Sequence, residues 1–383
     1  MPIADQIEKL ARFGPVPYPV VSLYLNTQPN SHGRDEFQRF VRQEFKSRSQ
    51  TYPNGSPERD SLDKDLERIA TYLENDLQPS ANGVVIFACS AGEMFEAVQL
   101  TAPIEQHWLY IGDAPHLYPL ARVESKYPRF AAVVADTNTA RIMVFATGEL
   151  VSQHDLHGEK TRRTSQGGWS QARYQRHIEN FHQQHAKEIV EALERIVQQE
   201  EIAEILLAGD EAIVPLLREQ MPKHLADRVV DEIRVDTRAP QAEVLEATRE
   251  AMAKLNERSD REKVEAALNG YRGGGLGVVG PEKTLNALVK GQVDELLLTA
   301  NLDALRRVSK RAAMAIGPES TLLESAVETE AAGEAAQADP QIVRLADEFV
   351  TRAAQTGARV TFIEDPALLQ AHGGVAALLR FRL

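Results

Sequence analysis

The chain has 383 residues, 43% hydrophobic and 26% charged, and a formal net charge of −13. This is the composition of a soluble globular protein too long for one ordinary core, so two or three domains are expected. No apolar run approaches the roughly 20 residues of a membrane helix. The N-terminal MPIADQIEKLARFG lacks the basic-then-apolar order of a signal peptide, so a cytoplasmic protein is expected. The single cysteine, Cys89, excludes an internal disulfide framework and a cysteine-based zinc site. Overall acidity argues against indiscriminate nucleic-acid binding. Phosphate contacts are short-ranged, however, and a local basic patch can still supply them.

In chain order, VVSLYLN from residue 20 predicts a strand. GRDEFQRFVRQEFKSR predicts a charged amphipathic helix, and Leu62, Leu66, Ile69 and Leu73 mark one face of a second. The turn-rich SQTYPNGSPERD lies between them, with Ser56 and Pro57 as cap and first helical residue. GVVIFACS, FEAVQL and HWLYIG read as further strands, with Cys89 a small buried residue in the first. This first α/β domain is bounded at residues 1–127.

A middle domain, residues 128–270, opens with three strands in FAAVVADTNTARIMVFATGELVSQHDL, separated by Thr-Asn-Thr and Thr-Gly-Glu turns. A long helix from about Ala172 to Gln199 follows, with Ile178, Phe181, His185, Ile189, Leu193 and Ile196 on its apolar face. EILLAGD, a short helix, VVDEIRV and a polar helix from Gln241 to about Ala267 complete it. An antiparallel meander followed by β-α units on one sheet predicts a ribonuclease-H-like layout. A third α/β domain, residues 271–383, starts at GYRGGGLGVVG. Pro281 and Glu282 begin a helix, Gly291 stops it, and DELLLT is the next strand. The acidic, alanine-rich residues 317–340 are expected to form a mobile insertion. A helix with Ile342, Leu345, Phe349 and Ala353 on one face and the strands ARVTFIE and VAALLRFRL end the chain.

Most chemical signals in the chain have plain structural explanations. Gly275, Gly277 and Gly280 fall in the order of a dinucleotide fingerprint, but the preceding segment reads as helix rather than strand. Lys283 and Thr284 are separated from Gly280 by Pro281 and Glu282, which breaks a phosphate-loop match, so the glycines read as an interdomain joint. His177, His182 and His185 lack the spacing of a helical zinc site, and His185 reads as a hydrogen-bonded core histidine. Glu200 and Glu201 read as solvated helix surface. Asp136 sits at a strand end where ribonuclease-H-like nucleases keep a metal carboxylate, without a cluster to accompany it. No metal, cofactor or catalytic residue is assigned.

One loop remains. TRRTSQGGWSQARYQRH, residues 161–177, has no acidic residue, although the chain is strongly acidic. Lys160, Arg162, Arg163, Arg173 and Arg176 flank Gly167, Gly168, Trp169 and Ser170, and Trp169 is one of only two tryptophans. Adjacent glycines allow close backbone approach, arginines suit phosphate oxygens, and an aromatic ring stacked on a base contributes about 1–3 kcal/mol. These nine residues are the expected RNA-binding site.

QGGWSQARYQR resembles the Gly-Gly-Gln-Ser-x-x-Arg-Phe-x-Arg segment of archaeal and eukaryotic class-one peptide release factors, with Gly167, Gly168, Trp169, Ser170, Arg173, Tyr174 and Arg176 in those positions. VVSLYLN is similar to that family's opening strand, FAAVVADTNTARIMVF to the start of its middle domain, and GVVGPEKTLNALVKGQVDELLLTANLD and HGGVAALLRFRL to its C-domain. The resemblance implies a three-domain α/β release-factor or Pelota-like architecture. Its middle domain is ribonuclease-H-like and its C-terminal domain resembles kink-turn-binding ribosomal proteins. It also implies a partner, the ribosome, entered at the A site with contacts to rRNA of both subunits. Elongation factor Tu or another translational GTPase is an expected deliverer. Two departures change the expected activity. The family's water-placing glutamine is Trp169 here, and an indole offers one N–H and no acceptor. The stop-codon loop Asn-Ile-Lys-Ser is replaced by SRSQTYPNGSPERDSL between the two N-domain helices. A hibernation or stress factor that occupies the A site without decoding is expected, with a rescue peptidyl-tRNA hydrolase and a Pelota-like RNA nuclease as alternatives.

Overall fold

The computed structural model describes residues 3–28, 37–100, 102–126, 129–146, 149–157, 171–200, 202–306 and 339–382. The acidic stretch 317–338 lies outside them. The chain forms two compact units, one of residues 1–126 with 257–383 and one of residues 127–256. Among the described residues, no helix is long and apolar enough to cross a membrane.

The first unit holds two four-stranded sheets. Strands β1 (Val20–Asn26), β2 (Gly83–Cys89), β3 (Met94–Leu100) and β4 (Trp108–Gly112) form an antiparallel sheet in the order β3-β2-β1-β4. Alternation along β1 sends Val21, Leu23 and Leu25 to one face, where α2 (Phe37–Ser49) and α3 (Pro57–Asn75) supply Phe37, Val41, Leu62, Leu66 and Ile69. The α3 terminus is built as its sequence predicts: the Ser56 hydroxyl accepts from the Arg59 N–H, and Pro57 opens the helix. Asp65, buried on α3, accepts from the Ser90 N–H at 3.0 Å and the Ser90 hydroxyl at 2.6 Å, fastening α3 to the end of β2.

The opposite face of that sheet, with Val20 and Tyr24, joins the C-terminal half of the chain in one core. Two helices that periodicity did not reveal, α1 (Ile3–Ala11) and α4 (Tyr118–Lys126), pack there beside α10 (Pro340–Thr356). Polar groups fix their register. His116 is fully buried, and its Nδ1 donates to Asp347 on α10 at 2.6 Å. The other oxygen of Asp347 accepts the Tyr118 N–H at 2.9 Å. Ser22 accepts the His116 N–H, and the Tyr24 hydroxyl donates to the His116 carbonyl. Tyr118 reaches the Thr299 carbonyl at 2.8 Å, and burial pushes its phenol far above the usual value.

The second sheet has the order β10-β13-β11-β12, from β10 (Gly277–Val279), β11 (Val293–Thr299), β12 (Arg359–Ile363) and β13 (Val375–Leu379). Only β11 and β12 are parallel. The last strand stops at Leu379, so Arg380, Phe381 and Arg382 of the segment expected to form it lie beyond it. α8 (Gln241–Arg272) runs a turn beyond its expected end and lays Val264 and Ala267 on this sheet. That explains Gly277. A Cβ at Gly277 would lie 2.1 Å from the Ala267 carbonyl oxygen, so only glycine lets β10 press against α8. The segment is a close-packed corner rather than a loose joint. Gly280, at φ +88°, precedes α9 (Pro281–Val289), which Gly291 ends at φ +66°.

The second unit is a five-stranded sheet in the order β7-β6-β5-β8-β9. β5 (Phe130–Ala135), β6 (Thr139–Ala146) and β7 (Glu149–His157) form the antiparallel meander, while β8 (Glu204–Gly209) and β9 (Val229–Ile233) run parallel to β5. This is the ribonuclease-H-like layout that the sequence predicts. α5 (Gln171–Gln199) covers one face with Ile189, Leu193 and Ile196, and α8 covers the other with Val244, Ala251 and Met252.

Replacing Asp347 by Ala leaves a buried imidazole N–H and a backbone N–H without an acceptor. Each such loss costs about 1–3 kcal/mol. Urea denaturation of D347A is expected to show the first unit destabilised by roughly 2–4 kcal/mol. A midpoint equal to wild type would mean that Asp347 does not hold α10 to the N-terminal sheet.

Candidate functional site

The candidate site starts at one end of the five-stranded sheet. β5 ends at Ala135 and β6 starts at Thr139, so a three-residue turn caps this end. Asp136 closes it. Its N–H donates to the Thr139 carbonyl, and its carboxylate accepts from the N–H groups of Asn138 and Thr139, both at 2.7 Å. The Thr139 and Thr237 hydroxyls add bonds at 3.1 Å. Burial would raise this carboxyl, but the four hydrogen bonds outweigh it and hold it below the usual aspartate value. Asp136 therefore serves the turn. Among the described residues, no group of three His, Cys, Asp or Glu side chains is placed to hold a metal.

β7 delivers the chain to the same end, because His157 pairs with Thr139. The loop follows directly and α5 takes the chain back. On α5, Glu179, Asn180, Gln183 and Gln184 are exposed, Phe181 and His182 are half-buried, and continuous burial starts at His185 and Ala186. The fourteen helical residues from Gln171 to Gln184 span about 21 Å at 1.5 Å per residue. The fifteen from His185 to Gln199 match the length of a six-residue strand, about 20 Å. The second half of α5 thus covers the sheet, and the first half is an arm reaching past its end to the loop. Lys160, Arg162, Arg163, Gly167, Gly168, Trp169 and Ser170 lie outside the described residues. Arg173 and Arg176 fall within the helical backbone of α5, and their side chains also lie outside the description.

Two side chains brace the arm in ways the sequence did not disclose. His185 is buried as expected, with its ring parallel to that of Phe181 at 6.5 Å between centroids. Among the described residues the Thr139 backbone is the polar group beside the ring, although neither ring nitrogen makes a hydrogen bond of good geometry to it. Burial pushes its pKa below the ordinary 6.5, although the Thr139 backbone, Glu188 and Asp136 oppose this. Glu200 is not solvated helix surface. At the base of α5 it accepts from Arg129 at 2.8 Å and Ser152 at 2.7 Å, tying the helix end to β5 and β7. Partners so distant in sequence leave no local pattern.

Comparison with known proteins finds two family matches. Residues 115–253 match the model of "Bacterial archaeo-eukaryotic release factor family 10", and residues 258–383 match "eRF1 domain 3". Together these segments take in more than two thirds of the chain and support a bacterial archaeo-eukaryotic release factor/Pelota-like protein. Peptide chain release factor subunit 1 of Methanobrevibacter smithii is 25% identical over 302 residues, 73% of this chain and 72% of its own. Among solved structures, the archaeal termination factor aRF1 shares 17% identity with a TM-score of 0.26, covering 99% of this chain and 97% of its own. A ribosome-bound archaeal Pelota, described with ABCE1, shares 15% identity with a TM-score of 0.40, covering 99% and 94%.

The depressed pKa of His185 has a defined pH signature. Unfolding releases a histidine that titrates near 6.5, so its contribution to stability is complete above that pH. It is lost as the pH falls through the lower folded value. Urea midpoints between pH 7 and 5 are expected to fall less steeply for H185M than for wild type. Parallel pH profiles would show that His185 does not titrate differently in the folded chain.

Proposed function

We propose that this protein binds the ribosome in the A site and directs residues 160–176 toward the peptidyl-transferase centre as a hibernation or stress factor. The observation that carries the reading is the α5 arm. A rigid helix, anchored by buried residues from His185 onward and by Glu200 at its base, reaches about 21 Å beyond the sheet. At its far end is an acid-free segment with paired glycines and a tryptophan, in a chain of charge −13. Such a build suits insertion of cations and an aromatic ring into a narrow RNA cavity.

Residues 1–127 would face the small subunit, 128–270 would carry the loop, and 271–383 would be available to a translational GTPase such as elongation factor Tu. Contacts to rRNA of both subunits and a cytoplasmic location follow from this reading. Trp169 separates occupancy from hydrolysis, because its indole cannot accept a hydrogen bond from a water. The segment between α2 and α3 carries no Asn-Ile-Lys-Ser, so decoding is not part of the proposal.

The test combines cosedimentation with ribosomes and peptide release. Wild-type protein is expected to pellet with ribosomes, and replacing Arg162, Arg163, Arg173 and Arg176 by Ala should flatten the log–log salt dependence by about 3. Release from peptidyl-tRNA should be at least about 100-fold below that of a glutamine-bearing release factor, the usual loss when a preorganised catalytic group is absent. W169Q should recover part of it. Absence from the ribosomal pellet would overturn the proposal. Rapid release by the unaltered chain would replace it with a rescue hydrolase.

A further inference from the structure

The first unit encloses a cavity of about 80 Å³ that the ribosomal reading leaves unused. Three segments build it: the end of α1 with the turn after it, the stretch from β4 to α4, and one face of α10. Leu10, Ala11 and Leu117 form a buried apolar wall. Gly14, Pro15 and Gln355, also on the lining, are exposed, so the cavity opens to solvent there. A water needs about 10–15 Å³, so the space takes about five to eight atoms of that size.

Most charged groups on this lining already have partners. Asp347 holds the His116 ring and the Tyr118 N–H. Glu348 is buried and accepts from Arg352 at 2.9 Å, and Arg344 bonds the Tyr110 hydroxyl. Asp113 differs: its Oδ2 is shut off from solvent and has no hydrogen-bond partner among the described residues. A buried acceptor left without a donor is costly. The field of these carboxylates is felt nearby. Burial, helped by Asp347 and Asp113 and opposed by Arg344, pushes the Tyr110 phenol up to about 12. Burial also raises the Glu348 carboxyl, again helped by Asp347 and Asp113 and opposed by Arg352. With both arginines engaged, the lining favours a cation over an anion. A metal ion fits poorly, because no three acidic or histidine groups among the described residues are placed to hold one.

We propose that this cavity binds a short primary alkylamine as its ammonium ion, with an N–H on Asp113 Oδ2 and the carbon chain along Leu10, Ala11 and Leu117. The ammonium group brings the two things that oxygen lacks, a donor and a positive charge. The apolar wall is stabilised by covering the chain instead of facing water. One nitrogen and about four carbons match the space. Ordered water is the competing occupant: it donates to Asp113 but leaves the negative field uncompensated. The proposal does not depend on the ribosomal reading, because Asp113 belongs neither to the loop nor to α5.

The test titrates the full chain with n-butylammonium chloride by calorimetry and compares its urea midpoint with that in equal sodium chloride. Saturable one-site binding and a raised midpoint are expected. n-Butanol keeps the chain without the charge, and tetramethylammonium keeps the charge without an N–H. Each should bind at least about 10-fold more weakly than n-butylammonium. D113N should weaken n-butylammonium binding at least about 20-fold, the loss expected when one partner of a buried charge pair is removed. T351M fills the space from α10 and leaves Asp113 in place, so it should weaken binding as well. It also carries the test if circular dichroism shows D113N unfolded. No saturable binding to the wild-type chain would overturn the proposal and leave the cavity to water. Equal binding of n-butanol, or unchanged n-butylammonium binding in either folded variant, would overturn it too. None of these readouts requires ribosomes, so failure of the ribosomal reading would leave the result standing.

Discussion

The carboxylate of Asp347 decides how the two ends of the chain meet. One oxygen receives the buried His116 ring and the other receives the Tyr118 N–H, across about 230 residues of sequence. A carboxylate that accepts two donors in a largely apolar setting is geometrically demanding, so the register of α10 against the N-terminal sheet is fixed by that pair of bonds. The apolar surfaces of α1, α4 and α10 then close around it in one core. As a result, the first and last parts of the chain act as one body. Residues 127–256 keep hydrophobic cores of their own.

Much of this body was legible in the sequence, because most of its elements bury one face and leave the other wet. β1 alternates, α3 repeats at four, three and four, and Ser56-Pro57 opens a helix as capping chemistry requires. The ribonuclease-H-like order could be read because three strands with short turns force a meander and the intervening helices force parallel returns. What escaped were elements too short for periodicity. α1 and α4 have nine residues each, and α4 has Pro119 in its first turn, which reads locally as a breaker. The glycines of GGGLG carried a misleading signal. The requirement at Gly277 comes from backbone atoms of Ala267 and Tyr271, contacts that only the folded corner brings together.

The site divides in the same way. The composition of residues 160–176 made the loop conspicuous, and the resemblance to release factors gave it a meaning. The sequence did not reveal the platform. Glu200 looked like surface charge until Arg129 and Ser152 were found on it. Asp136 looked like a fragment of a metal site and instead ties a turn with four hydrogen bonds. Arg129 and Ser152 are distant in sequence from Glu200, as Thr237 is from Asp136, and local windows hold no trace of such pairings.

Hydroxyl-radical footprinting of large-subunit rRNA in ribosomes, with and without the protein, tests A-site occupancy by the loop most directly. The expected result is protection of nucleotides lining the peptidyl-transferase centre, retained by the Asp347→Asn chain and lost when Gly167, Gly168 and Trp169 are replaced by Ala. Saturating protein that leaves the peptidyl-transferase centre unprotected, or protection that survives those loop substitutions, would contradict it.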